Sequence, residues 1–169
     1  MGQLAASEFQ GRPFPANQGE LVFRGVAQLN LDSKGRLAVP SRFRDALTGR
    51  GNGHLVITAD SDRCLLIYPL PDWEPIEQKL MALSSFNAQI RELQRRLVGY
   101  AEDVVMDASA RILVPPALRR YAQLEKSVVL VGQGHKFELW NKDTWDERME
   151  KGGEVGSGGL PPELEGFSL

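Results

Sequence analysis

The chain has 169 residues, 42% of them hydrophobic, and a formal net charge of −2 at neutral pH. This length suits one ordinary domain or two small ones, and the apolar content is sufficient for a buried core. A single cysteine, Cys64, excludes an internal disulfide and favours a reducing compartment, where we expect it to be a small buried side chain. No signal peptide and no bilayer-spanning apolar run is found, so we expect a soluble, cytoplasmic protein without a membrane partner.

The charges are unevenly distributed. Acidic residues concentrate near the two ends, whereas residues 23–149 carry 18 basic and 16 acidic side chains. Basic residues gather around residues 32–50 and 107–126, and locally basic surfaces attract phosphate groups. Ordinary solvated surfaces carry clusters of this size too, so charge alone leaves both interpretations open.

The predicted elements begin with a segment that lacks periodicity. Residues 1–22 are rich in Gly, Pro, Gln and Asn, which indicates a flexible leader or an expression remnant. Residues 27–31 then alternate apolar and polar side chains, and Leu37 and Val39 continue the pattern, which predicts two strands paired as a hairpin. Residues 32–36 form its polar tip.

Two residue types favour a tight turn at this tip. Gly35 supplies the positive φ that such a turn commonly needs, and Asp32 can accept backbone N–H bonds. Pro40 ends the strand and opens a helix predicted over residues 41–47.

Two apolar strands and two helices complete the first half. The strands are predicted at residues 55–59 and 64–68. Asp72 is expected to cap a helix whose first turn includes Pro75, and Asn87 to cap a second helix.

The second half follows the same order and ends in a Gly-rich stretch. Its predicted elements are strands at 104–106, 112–114, 128–131 and 137–140, with helices over 116 to about 124 and 144 to about 151. Residues 151–159 predict a flexible linker.

The two halves repeat each other residue by residue. Residues 32–40, DSKGRLAVP, return 75 positions later as DASARILVP over residues 107–115. Each copy leads to an arginine, Arg44 or Arg119, and later to an aromatic pair five residues apart. Such self-similarity implies a pseudo-twofold that displays two equivalent Asp-x-x-x-Arg turns together.

An aspartate in each half raises the alternative of an aspartic protease, in which two carboxylates share a proton. Lys34 beside Asp32 opposes proton sharing, because a nearby cation lowers a carboxylate pKa, and Ala108 follows Asp107. No metal-ligand spacing, phosphate-binding glycine loop or nucleophile elbow is present either. The sequence therefore predicts no enzyme, metal, cofactor or small-molecule substrate.

The Asp-x-x-x-Arg turn also has a purely structural interpretation. An exposed cross-turn ion pair stabilises a hairpin by at most about 1 kcal/mol. The duplication favours a functional role for Arg36 and Arg111, and less so for Lys34, which the second copy lacks. Ala110 stands where the first copy has Gly35, and alanine disfavours positive φ, so we expect the second turn to differ in shape.

Several segments stand in an order that resembles a known family. They are FRG at 23–25, LDSKGRLAVP at 31–40, LIYP at 66–69, Asp107 with Arg111, VGQ at 131–133 and FELW at 137–140. Over residues 23 to about 149 the chain is similar to the MraZ family of bacterial transcriptional regulators. The resemblance implies a mainly β fold with short helices (α+β). Two tandem AbrB-like swapped-hairpin units would form a pseudo-twofold β-barrel core with peripheral helices.

The same resemblance implies an organisation and a partner. The AbrB-like units would span residues 23–71 and 101–149, joined by a helical connection over 72–100, with a leader over 1–22 and a flexible tail over 150–169. Ring-shaped homo-oligomers would bind double-stranded DNA at direct repeats in the promoter of the division and cell-wall gene cluster, in the nucleoid.

The residues suggest how the turns would contact DNA. Lys34, Arg36 and Arg111 are candidate base-reading residues, because arginine pairs bidentately with guanine in the major groove. Asp32 and Asp107, with Gly35, would hold the turns and orient the arginines, since a carboxylate facing phosphate is repelled. Candidate phosphate contacts are Arg24, Arg42, Arg44 and Arg119.

A second class of function stays open. AbrB-like hairpin folds also serve as antitoxins whose C-terminal segment wraps a toxin, and this chain ends in an acidic segment. The alternative is an antitoxin or protein-interaction module without specific DNA readout, although the duplication favours the fused regulator.

Overall fold

A computed structural model of the chain describes residues 23–152, 162–164 and 166. Its strands are β1 (Phe23–Asn30), β2 (Arg36–Ala38), β3 (His54–Ala59), β4 (Leu65–Pro69), β5 (Glu102–Val105), β6 (Arg111–Leu113), β7 (Ser127–Gly134) and β8 (Phe137–Asn141). Its helices are α1 (Ser41–Gly51), α2 (Leu70–Met81), α3 (Ala88–Gln94), α4 (Pro116–Tyr121) and α5 (Lys142–Lys151), with a π-helical turn at Arg95–Gly99 and a 3₁₀ turn at Pro162–Leu164. The predicted leader and most of the predicted tail lie outside the described residues, but α5 continues to Lys151.

Six strands form one antiparallel sheet in the order β1-β7-β8-β4-β3-β5, and β2 and β6 form a separate two-stranded ribbon. Replacing each strand by its counterpart in the other half gives the same order read backwards. The pseudo-twofold axis passes through two paired positions, Leu66 with Glu138 in the sheet and Leu37 with Ile112 in the ribbon. The fold is therefore α+β with the internal symmetry that the repeat predicts.

The first strand of each half pairs with the other half. All eight residues of β1 pair with β7, and β5 pairs with β3. The prediction that β1 and β2 pair as a hairpin is confirmed at the polar tip, where Leu31 bridges Leu37 and the Asp32 N–H donates to the Arg36 carbonyl. It is wrong for the strands themselves, since no ladder joins the described residues of β1 and β2. The two strands then diverge because longer ladders are available to each across the pseudo-twofold.

The core lies between the sheet and the ribbon, and the sheet does not close into the expected barrel. Its edge strands β1 and β5 stand at opposite ends, and no ladder joins them in the described part of the chain. The ribbon instead covers the sheet, burying Leu37 and Ile112 against residues such as Phe137. Cys64 is buried as predicted, in a smaller cluster with Trp140, and burial raises the pKa of its thiol.

The helices follow the predicted order with two corrections. Asn87 caps α3 by accepting backbone N–H bonds from its first turn, as predicted. Asp72 does not cap α2, because this helix begins at Leu70 directly after β4; the Asp72 carboxylate instead accepts from Arg50 Nε at 2.6 Å. Pro75 consequently lies inside the helix rather than in its first turn. None of the helices in the described residues has the length and apolar character needed to cross a membrane.

Candidate nucleic-acid interface

The first Asp-x-x-x-Arg turn is closed by its own aspartate. Asp32 Oδ1 accepts the backbone N–H groups of Lys34 and Arg36, each at 2.9 Å. Asp32 Oδ2 accepts from Arg36 Nε at 2.6 Å, and the Gly35 N–H donates to the Asp32 carbonyl at 3.0 Å. One carboxylate therefore fixes both the backbone of the turn and one edge of the guanidinium.

The second turn has the same set of bonds. Asp107 Oδ1 accepts the backbone N–H groups of Ser109 and Arg111 at 2.9 Å, and Oδ2 accepts from Arg111 Nε at 3.0 Å. Ala110 adopts φ 58°, close to the 81° of Gly35. The expectation that alanine changes the shape of this turn is wrong, since the carboxylate bonds hold the alanine in the left-handed region.

Both carboxylates are electrostatically favoured as anions. The backbone N–H of Arg36 lowers the pKa of Asp32 most, and its guanidinium and the Lys34 N–H lower it further, against an opposing effect of burial. The backbone N–H of Arg111 is likewise the main cause that lowers the pKa of Asp107. At neutral pH each turn therefore holds an ionised carboxylate beside its arginine.

The ribbon brings the two arginines onto one face. Arg36 lies opposite Leu113, and Arg111 lies opposite Ala38. The arginines are thus diagonal neighbours on adjacent strands, a placement that separates two residues by about 7 to 8 Å, with the Cβ atoms somewhat closer. Successive residues of a strand point to opposite faces, so the buried central pair of the ribbon faces the core while both arginines face outward.

Both guanidinium groups are accessible and only partly occupied. The Arg36 side chain is 28% exposed and the Arg111 side chain 36%. Each uses Nε for its aspartate, and in the part of the chain that the structure describes the terminal nitrogens make no hydrogen bond. Lys34 is exposed at the tip of the first turn. The surface offers hydrogen-bond donors on a two-stranded ribbon, an element that B-DNA admits into its major groove.

The four candidate phosphate contacts separate into two groups. Arg44 and Arg119 lie beside the turns: Arg44 Nε donates to the carbonyl of Val39, and the Arg119 guanidinium lies against Gly35. Arg24 and Arg42 lie toward the other end of β1, about 20 Å along the strand from the first turn. The structure thus brings only one pair close to the predicted base-reading residues.

Two further residues share the outward face of the ribbon. Ala38 and Leu113 are exposed there, Leu113 to 49%. Apolar groups of this kind can contact the methyl group of thymine. The sequence contains a signal for this placement. In the Arg-Leu-Ala and Arg-Ile-Leu segments, the first and third residues of a strand point to the same face, opposite to the buried central residue.

A family model described as "MraZ protein, putative antitoxin-like" matches residues 22–96 and 97–155. The two matches meet near the end of the helical connection and together cover most of the chain. The chain belongs to the MraZ family. Each of the two MraZ matches includes one Asp-x-x-x-Arg turn, so the same family model recognises both halves of the chain.

Relatives of the MraZ family match almost the whole chain. The protein named "Transcriptional regulator MraZ" from Thiobacillus denitrificans is 56% identical over 148 residues, which cover 88% of this chain and 100% of the relative. The protein of the same name from Nitrosospira multiformis is 60% identical over 148 residues with the same coverage. That from Halorhodospira halophila is 51% identical over 152 residues, again 88% of this chain and 100% of the relative.

Proposed function

We propose that this protein is a transcriptional regulator that binds double-stranded DNA sequence-specifically through the outward face of the β2–β6 ribbon. The observation that carries the proposal is the pair of aspartate-locked arginines, Arg36 and Arg111, on one accessible face. The names of its MraZ relatives support the regulatory class.

The chemistry of the two turns supports base readout. The aspartate accepts a hydrogen bond from Nε and so fixes the orientation of the guanidinium. Its terminal nitrogens can then pair with O6 and N7 of guanine with little loss of side-chain entropy. Each such pair contributes about 1 to 3 kcal/mol of discrimination. Lys34 would approach the bases from the tip of the first turn, and the neighbouring Arg44 and Arg119 would add contacts to the phosphate backbone, which position the protein without specifying a base.

The proposal includes an assembly and a location. One chain offers a single ribbon with two arginines, a small footprint that predicts weak binding. A ring-shaped homo-oligomer on direct repeats in the promoter of the division and cell-wall gene cluster would gain affinity through effective concentration. This activity belongs in the cytoplasm, at the nucleoid.

The proposal is tested by a mobility-shift titration with the DNA upstream of the chain's own gene and a scrambled duplex. We expect Arg36→Ala to abolish specific binding and Arg111→Ala to have a similar or milder effect, with the oligomer mass unchanged by light scattering. Arg95→Ala is the matched control, since it removes one equally charged and well-exposed side chain from the helical connection. Binding of the Arg36→Ala/Arg111→Ala variant like the wild type would reject the proposal.

An antitoxin-like role is the second candidate, favoured by the description of the family model. It predicts that the protein copurifies with a small basic partner and that the promoter duplex is retained no better than scrambled DNA. Salt-sensitive retention of the promoter repeat favours the regulator.

A further inference from the structure

The two turns differ in what lies behind them. A Cβ atom built on Gly35 would stand 2.5 Å from Arg119 Cζ and 2.6 Å from Nη1, so the guanidinium occupies space that only glycine leaves open. In the second turn the methyl group of Ala110 fills the equivalent space. Arg119 belongs to α4 of the second half, so the first turn is built from both halves of the chain.

The two equivalent arginines are bonded differently. Arg44, the counterpart of Arg119 in the repeat, donates from Nε to the Val39 carbonyl at 2.8 Å. Arg119 Nε is buried and makes no hydrogen bond to the described residues. A buried charged donor without an acceptor is costly, and a bound water or ion is one of the ways in which proteins satisfy such a group. Arg119 therefore differs from Arg44 in having its guanidinium packed on the first turn with no acceptor for its Nε among the described residues.

The surroundings of Arg119 suit an anion on an extended polymer. An open groove of about 530 Å³ runs beside the first turn, and its charged lining residues are Asp32, Arg119, Glu125 and Lys126. Asp32 is already paired with Arg36, which leaves two cations against Glu125. The groove adjoins the turn that carries Arg36, because Asp32, Ser33 and Gly35 of that turn line it.

We propose that Arg119 binds a backbone phosphate beside the base that Arg36 reads, and that Gly35 permits this by lacking a side chain. The inference rests on the proposed function and deepens it. The first turn then combines base readout with a phosphate contact packed on its own backbone, an arrangement that the methyl group of Ala110 excludes from the second turn. The two halves of one chain are consequently unequal in DNA binding despite their matching turns.

The test measures the affinity of the full-length protein for the promoter duplex and for the scrambled duplex across a series of salt concentrations. Arg119→Ala should weaken both duplexes by the same factor and reduce the salt slope by about 1 for each engaged turn. Its matched control, Arg95→Ala in the helical connection, should leave both the affinity and the slope unchanged. Losses in Arg119→Ala no larger than those in Arg95→Ala would overturn the inference.

The role of Gly35 in giving space to the Arg119 guanidinium is tested by further variants. Gly35→Ala should reproduce the reduced salt slope of Arg119→Ala, and the double variant should be no worse than either single one, because both remove the same contact. Ala110→Gly should not weaken binding. Additive losses in the double variant would contradict the role of Gly35, and the two arginine variants decide the phosphate contact whether or not Gly35→Ala folds.

Failure of this inference is separable from failure of the proposed function. Arg36→Ala is measured in the same series. If it binds like the wild type, the proposed readout itself fails. If it loses specificity while Arg119→Ala behaves like Arg95→Ala, only the phosphate contact of Arg119 is rejected.

Discussion

At the scale of single residues, the Asp-x-x-x-Arg turn is a self-contained unit. Each aspartate accepts two backbone N–H groups and one guanidinium nitrogen, all within five residues. These bonds hold Ala110 at φ 58°, a conformation that costs a non-glycine residue roughly 1 to 2 kcal/mol. The turn tolerates this cost because opening it would also break the hydrogen bonds between the Asp107 carboxylate and its three donors.

The lowered pKa values of Asp32 and Asp107 predict an acid dependence of stability. The Asp32 and Asp107 carboxylates bind protons less tightly in the folded chain than in the unfolded chain. The ionised carboxylates therefore stabilise the fold above the ordinary aspartate pKa of about 3.9. This contribution is lost as the pH falls through the lowered values. In urea denaturation between pH 5 and pH 2, we expect the unfolding free energy of the wild type to fall more steeply than that of Asp32→Asn/Asp107→Asn.

Asp45→Asn provides the control for this titration. Asp45 lies exposed on α1 and accepts no hydrogen bond among the described residues, so its replacement should leave the acid dependence as steep as in the wild type. Parallel curves for the wild type and the double turn variant would contradict the assignment of this dependence to the turns.

At the scale of elements, the swapped pairing of β1 on β7 depends on one close approach. A Cβ on Gly132 would stand 2.5 Å from the backbone nitrogen of Arg24 and 2.7 Å from the carbonyl carbon of Phe23. These are backbone atoms of the partner strand, which cannot turn away as a flexible side chain can. Glycine at this position therefore sets how closely the strand of one half packs on the other.

We predict opposite effects for two glycine-to-alanine changes. Gly132→Ala should destabilise the protein by about 1 to 3 kcal/mol, because β1 must move away from β7. Gly49→Ala, in the last turn of α1 with no heavy atom within 4 Å of its added Cβ, should stabilise it by about 0.5 to 1 kcal/mol. Both are measured by urea denaturation. A Gly132→Ala variant as stable as the wild type would show that the strands separate without cost.

At the scale of the whole molecule, each half lacks a strand that only the other half supplies. β1 would lose its full ladder without β7, and β3 would lose β5. The core is shared as well, because residues of both halves meet under the ribbon. The cooperative folding unit is accordingly the pair of halves rather than either one.

We therefore predict that residues 23–100 expressed alone form no folded monomer, because a chain of this size buries too little surface and here also exposes an unpaired strand. Circular dichroism and light scattering measure this outcome. Coexpression with residues 101–152 should restore a one-to-one complex with the circular dichroism spectrum of the intact chain. A cooperatively folding monomer of the first half would contradict the shared core.

The sequence by itself determined what is local or repeated. The nine-residue repeat predicts the pseudo-twofold, and the bonds of Asp32 and Asp107 follow from residue types no more than four positions apart. The cap by Asn87 and the burial of Cys64 are local or compositional in the same way. The use of these turns as a DNA-binding surface stays a prediction.

Only the tertiary structure decided which distant segments meet. Four features join residues more than 20 positions apart: the pairing of β1 with β7, the open sheet with its separate ribbon, the Arg50–Asp72 bond, and the packing of the Arg119 guanidinium on Gly35. Single-chain patterns report which face of a strand is apolar but not which strand covers it. That choice is made by the total area buried and the length of the ladders that the whole chain can form at once.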